Sequence, residues 1–226
     1  MRAFWFLAIV GVLGSGLLLW LGSWQLQRLA WKNAVLAELE TSIAADPVAL
    51  PQTPDETRDK YRAVAATGEI LAGEIHVWTA GKTGAGYRVI SPFNSKTLGP
   101  ILVDRGFIPS AAKQDTRPLG PVTLVGNLHW PDEQSGFTPD ADLTGNVWYA
   151  RDVATMAAAL NTQPVLIVLR QTPPGHDAIQ PIPLTATGIP NDHLQYAITW
   201  FSLAAIWAGM TFYFLRRAGF KPKGSN

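Results

Sequence analysis

The sequence predicts a membrane α+β protein, in which two transmembrane helices flank an exported, mainly antiparallel β domain with one or two short helices. Three observations predict it. Only 15% of the 226 residues are charged, against roughly 25% in an ordinary soluble protein, and 47% are apolar. The scarcity is local, because residues 3–27 and 194–215 carry no charge at all. Between them lie nearly all the acids and bases and most of the 17 prolines and 20 glycines, which punctuate short strand-like runs.

A helix needs about 20 apolar residues to cross a hydrocarbon core roughly 30 Å thick, and residues 4–24 and 194–215 both meet that length. Backbone groups in lipid must bond along their own chain, so both segments are expected to be helical. A cleaved signal peptide is the rival reading of the first. Its only positive residue is Arg2, its apolar run is too long and no A-x-A site follows, so residues 1–24 are expected to stay as the N-terminal transmembrane helix. Residues 25–60 read as a juxtamembrane helix, reaching residue 39, and a Pro- and Asp-bearing connection without periodicity. The exported domain, 61–172, shows strand-like runs at 61–67, 74–79, 87–92, 101–108 and 122–128, with turn signals at 81–86 and 118–121. Another strand is expected at 146–150, a helix at 153–160 capped by Asp152, and a last strand at 165–171. Residues 173–192 read as a linker, 193–215 as the C-terminal transmembrane helix and 216–226 as a cytoplasmic tail.

Orientation follows from the bases that flank the spans. Arg216, Arg217, Lys221 and Lys223 crowd the C-terminal flank and are expected to hold it in the cytoplasm. Two spans return the N-terminus to the same side and export the middle. Arg28 and Lys32 lie on the exported side and weaken the asymmetry, although long loops translocate largely regardless of such charges. No Arg- and Ser-rich presequence precedes the first span, which favours a bacterial inner (plasma) membrane over an organelle, with the central domain periplasmic.

Composition also excludes functions. A net charge of +1 offers no basic excess for nucleic acid. Without cysteine the chain has no disulfide, no CxxC redox or copper site and no c-type haem attachment. There is no GxSxG elbow, phosphate loop or HExxH, and Asp104, Asp115 and Asp132 are scattered as solvated loop acids are. His76, His129 and His176 have no metal-ligand spacing. The chain is expected not to be an enzyme.

The informative segment is Pro190-Asn-Asp-His-Leu-Gln-Tyr-Ala-Ile-Thr-Trp200. Asp192 is a good N-cap, with Gln195 at the reciprocal capping-box position. His193 then falls in the first turn, at the outer membrane boundary. Helical spacing places Ala197, Trp200, Ala204, Trp207 and Thr211 below it on one face, where a flat ring fits against alternating small residues and indoles. The helix N-terminus disfavours a charged imidazole and so favours the iron-binding form, while Asp192 acts in the opposite sense. An interfacial histidine bonded to backbone or water, with Trp200 and Trp207 packing on the other span, is the plainer reading. On the first span Trp20, Trp24, Gln27, Arg28 and Trp31 share a face at the same depth. Tryptophan anchoring with a snorkelling arginine explains them, and so does an Arg28 that meets an anionic group such as a haem propionate. Gly11, Gly14, Gly16 and Gly22 permit close approach of the two spans.

Together these stretches resemble the Surfeit-locus-one family, assembly factors for haem–copper cytochrome oxidase, in its bacterial form. The resemblance is carried by Gly22-Ser-Trp24-Gln25-Leu-Gln-Arg28-Leu-Ala-Trp31-Lys32, Tyr61-Arg62, Gly86-Tyr87-Arg-Val89 with Pro92, Val103-Asp-Arg105-Gly106-Phe-Ile-Pro109, and Asn191-Asp-His193-Leu-Gln195-Tyr196-Ala-Ile-Thr-Trp200-Phe. It runs in order over residues 20–217, and only 132–146 holds no motif that can be placed.

The resemblance implies a non-enzymatic part in maturing subunit I of an aa3-type cytochrome c oxidase. It implies haem a, held transiently near the outer leaflet, with His193 as iron ligand; Arg28 as propionate contact and Trp24 and Trp200 as packing surfaces are expectations from the residues themselves, to which the match assigns no chemistry. The type of haem comes from the family alone. The expected partners are subunit I, haem a synthase as donor and the lipid bilayer. A haem-independent scaffold that stabilises a subunit I intermediate is the alternative.

Overall fold

A computed structural model describes residues 2–81, 84–186 and 189–219. Lys221 and Lys223, residues 82–83 of the expected turn at 81–86 and residues 187–188 of the expected linker lie outside the described residues. The chain divides into two compact units, one of residues 1–38 and 187–226 and one of residues 39–186.

The first unit pairs the ends of the chain. Helix α1 (Arg2–Ala44) has 43 residues, about 65 Å, which is roughly twice what a bilayer core requires. It ends where Asp46-Pro47 supplies the first breaker, since proline disfavours helix in the residue before it. Phe4–Ala44 and, near the other end of the chain, His193–Ala218 are long and apolar enough to cross a membrane. These two helices are compatible with a two-pass membrane protein.

The less exposed residues of α1 recur every three or four positions, at Leu7, Gly11, Gly14, Leu18, Gly22, Gln25 and Leu29. Such alternation is the seam of helices packed at a small crossing angle. Three glycines on it face large neighbours: the Thr211 side chain over Gly11, the Trp207 indole over Gly14 and the Phe201 ring over Gly22. A Cβ at any of the three would overlap those atoms.

The second unit is a closed barrel with one helical layer outside it. In chain order it contains β1 (Val48–Ala49), α2 (Glu56–Asp59), β2 (Ala63–Ile70), β3 (Ile75–Gly81), β4 (Gly84–Ser95), β5 (Gly99–Pro109), a 3-10 turn (Ser110–Ala112), β6 (Gly120–Leu128), α3 (Val153–Leu160) and β7 (Leu166–Leu169). Strand order is β1-β2-β6-β7-β5-β4-β3, and β2 also pairs with β4, so β2, β6, β7, β5 and β4 form a ring. All pairs are antiparallel except β1 with β2 and β5 with β7. The mainly antiparallel domain between two apolar helices is therefore present as the sequence predicts.

Closure depends on β4, whose first half pairs with β3 and whose last residues, Phe93–Ser95, pair with β2. At Val89 and Ile90 the partner strand β5 is bulged, with Arg105 the extra residue between Asp104 and Gly106, and this irregularity bends the strand pair between these two duties. The barrel interior is filled by Val64, Ile70, Phe93, Ile101, Val103, Leu124, Leu128 and Ile167. A second core lies between β3, β4, β5 and β7 and helix α3, built from Ile75, Val77, Ile90, Leu102, Trp148, Met156 and Leu166. Alternate residues of β5 serve the two cores, as period-two side-chain alternation requires.

Helix α3 has the expected bounds. Asp152 accepts from the amides of Ala154 and Thr155, and Asn161 ends it in the left-handed region at φ 53°. Three expectations need correction. The strand expected at 146–150 is a pair of isolated bridges, Asp142 with Val147 and Val77 with Trp148, because Asn146 turns the chain at φ 49°. The connection at 41–60 holds β1 and α2, elements too short to leave a periodic signal. Strand β2 starts at Ala63 rather than residue 61, since Tyr61 has φ 69°.

Gly106 sits at the bulge with φ 117°, and a Cβ there would strike the Gln180 carbonyl and the Pro181 Cα. Phe107 and Gln180 exchange backbone hydrogen bonds of 2.7 and 3.0 Å beside it, so that neighbour cannot retreat. Gly106→Ala is expected to destabilise the domain by roughly 2–3 kcal/mol, combining backbone strain with the lost pairing. Denaturant unfolding of the full chain in detergent, followed by near-UV circular dichroism, checks it. An unchanged midpoint would contradict the bulge geometry.

Candidate functional site

The site is built where the two ends of the chain meet. Helix α4 (His193–Gly219) presents His193, Ala197, Trp200, Ala204, Thr211 and Leu215 as its less exposed side. Ala197 is 1% exposed and Ala204 4%, because this side is the one that packs on α1. The face expected to receive a flat ring is thus largely taken by the helix pair, with Trp207 over Gly14 and Thr211 over Gly11. Trp200 is half-buried beside them.

Among the described residues, two side-chain hydrogen bonds join the helices at the polar end. Asn191 Nδ2 donates to Asn33 Oδ1 at 2.7 Å. His193 Nδ1 lies 2.7 Å from Gln25 Oε1. An amide oxygen only accepts, so this contact calls for the proton on Nδ1, and a ring with one proton then has its lone pair on Nε2. Among the described residues Nε2 has no hydrogen-bond partner. The expected cap at this end is corrected: among the described residues Asp192 and Gln195 make no side-chain capping bond, and Asp192 contributes its carbonyl, to the Tyr196 amide. The interhelix bonds position this end instead.

Arg28 lies three residues after Gln25, on the exposed side of α1. Its guanidinium carbon is 5.6 Å from the Trp24 ring centre and 5.3 Å from that of Trp31. Trp24 is 40% and Trp31 56% exposed, so the cation sits between two open indoles, with no carboxylate partner among the described residues. Gln25, rather than Arg28, is the residue brought to His193. Sequence reasoning gave Gln25 no role. The available signal was its place three residues after Gly22 on the seam, but a partner on another helix leaves no mark in one sequence.

In the barrel unit the charged motif residues pair with one another. Asp104, 1% exposed, accepts from Arg88 at 2.8 Å and Arg151 at 3.1 Å, and its other oxygen accepts from the Gly106 amide. Arg151 also grips Glu133 through several bonds. Burial works to raise the Glu133 carboxyl, but the bonds and charge of Arg151 outweigh it and hold it below the usual range. A second group joins Glu74 to His76 and Arg117. Arg105, 2% exposed, donates to the Pro118 carbonyl at 3.1 Å and to His176 Nδ1 at 2.9 Å, and burial pushes it down to about 10. Arg62 binds the fully buried Asp59 at 2.7 Å. Arg62, Arg88 and Arg105 therefore act within the barrel's own structure. Asp104 is no solvated loop acid, which corrects that expectation. No group of metal-ligating side chains occurs among the described residues.

The SURF1 family model matches residues 13–205. The SURF1-like protein of Monosiga brevicollis is 36% identical, over 98% of this chain and 90% of its own length. Surfeit locus protein 1 of Rattus norvegicus is 33% identical, over 89% and 72%, and that of Homo sapiens 32% identical, over 89% and 73%. The chain belongs to the SURF1 family.

His129 gives the barrel unit a pH dependence. It is 8% exposed, stacks at 5.3 Å on Tyr61, and its Nδ1 has no hydrogen-bond partner among the described residues. Burial first, then the charges of Arg151 and Lys60, push it down to about 4 from 6.5. The unfolded chain therefore takes up a proton that the folded state refuses, and stability present above pH 6.5 is lost as pH falls towards 4. His129→Phe keeps a ring at the site and removes the titration. It is expected to gain on the order of 1–2 kcal/mol over the parent at pH 5, relative to their difference at pH 8. Parallel stability–pH curves would assign the acid sensitivity elsewhere.

Proposed function

We propose that this chain is a non-enzymatic assembly factor for aa3-type cytochrome c oxidase, binding haem a through His193 and aiding its insertion into subunit I. Family membership supports the general role. The observation that carries the haem reading is the Gln25–His193 bond, which leaves an imidazole nitrogen with its lone pair available at one end of the helix pair. The residues fit the group. His193 would supply the nitrogen ligand, Arg28 between Trp24 and Trp31 would take a carboxylate, and Trp24 and Trp200 would offer ring surface. Haem, when bound, supplies an iron that accepts a nitrogen donor and propionates that accept cations. One imidazole suits a cargo that must leave again.

In this reading the protein sits in a bacterial inner membrane with both termini cytoplasmic and the barrel exported, beside haem a synthase as donor. The burial of Ala197 and Ala204 favours a second reading, a haem-independent scaffold that holds a subunit I intermediate by protein contacts, since it withdraws much of one ring surface.

His193→Ala, purified beside the parent chain from cells that make haem a, is expected to lose at least about nine-tenths of its bound haem, as a missing sole protein ligand implies. Unchanged haem content and an unchanged absorption spectrum would remove His193 from the ligand role. Recovery of subunit I with this chain from cells unable to make haem a would favour the scaffold.

A further inference from the structure

We propose that Gln25 is the positioning residue of His193, holding its Nδ1 proton so that Nε2 keeps the lone pair, and setting the donor strength of that nitrogen. The part that concerns haem rests on the reading above, while the part that concerns the tautomer does not. The contact is 2.7 Å, and the partners are 168 residues apart, so it exists only when α1 and α4 are paired. Gln25 occupies the seam one turn from Gly22, whose missing side chain admits the Phe201 ring, and this close approach brings the amide within reach of the imidazole. Both partners are half-buried. Water therefore competes less for Nδ1 than it would on an open helix.

Free imidazole side chains place their proton on either nitrogen, and the partner of one nitrogen decides the other's state. A neutral amide oxygen at Nδ1 fixes the proton there without charging the ring. A carboxylate in its place would draw that proton closer and make Nε2 a stronger donor. A residue that merely joins two helices would leave the tautomer and donor strength indifferent to its identity, and that separates the two roles.

The test uses the full chain in detergent, without ligand, and nitrogen-15 NMR of the histidine rings at pH 8. The His193 signal is assigned by its loss in His193→Gln. The parent is expected to show the Nδ1–H tautomer, Gln25→Glu to retain it, and Gln25→Leu to shift towards Nε2–H with an unchanged thermal midpoint. A Gln25→Leu variant that keeps the Nδ1–H form overturns the proposal whatever haem does. Haem a is then titrated into each form. Gln25→Leu is expected to bind roughly 10–100-fold more weakly and with a higher iron midpoint potential, and Gln25→Glu to restore affinity and lower the potential. Loss of haem in His193→Ala with no change in affinity or potential in either Gln25 variant overturns the donor-strength part. If His193→Ala also binds haem as the parent does, it is the ligand reading that fails, and a shifted tautomer still supports Gln25 as the residue that positions the ring.

Discussion

The site depends on how closely α1 and α4 approach, and the glycines on α1 set that distance. In lipid there is no hydrophobic gain from pairing apolar helices, so association rests on packing and on a few polar contacts. Interhelix hydrogen bonds in membranes are worth about 0.6 kcal/mol each on average. Gln25–His193 and Asn33–Asn191 together then contribute on the order of 1 kcal/mol, too little to hold two helices. The stacked contacts of Thr211, Trp207 and Phe201 on Gly11, Gly14 and Gly22 must do most of the holding. The two polar bonds instead select the register, because a slip of one turn would take four polar groups away from these partners.

The barrel unit meets a different constraint. A ring of five strands removes most open edges, and the two that remain are handled separately: β1 has only two residues, while the bridge from Val77 to Trp148 covers part of β3. The bend that closes the ring buries polar groups on the side of the second core. Asp104 is buried at the bulge, where two guanidiniums and the Gly106 amide satisfy its oxygens. Such an arrangement gives weak net stability, since desolvation offsets most of the attraction, but removing one member leaves an uncompensated charge. These groups thus specify the bend more than they strengthen the fold.

Much of this was legible in the sequence and some was not, for physical reasons. The spans declared themselves through charge-free runs, α3 through Asp152, and β4 and β5 through alternating apolar residues bounded by glycine. Helix α2, of four residues, and strand β1, of two, complete barely one period of their patterns and left no trace. Residues 146–150 have strand composition, yet Asn146 turns the chain, and turn geometry outranks composition over five residues. Asp104 resembled a surface acid because its partners, Arg88 and Arg151, lie 16 and 47 residues away. His193 was legible as a boundary histidine. Its environment was not: the seam whose small residues and indoles suit a flat ring is the seam that the other helix fills.

The same interhelix bond carries two consequences of unequal size. As a contact between helices, Gln25–His193 is worth a fraction of a kcal/mol. In the proposed role, as the outer partner of a nitrogen that would bind iron, such a bond typically changes affinity by roughly 10–100-fold, equivalent to about 1.4–2.8 kcal/mol. A leucine at 25 would fill the seam almost as well and cost little in pairing, so stability alone gives a weak reason for glutamine there. A glutamate would bind the imidazole more firmly, but it would bring a charge to the half-buried seam, where desolvation opposes it. A neutral acceptor avoids that cost. Glutamine is the residue that satisfies Nδ1, stays uncharged and spans the distance across the seam.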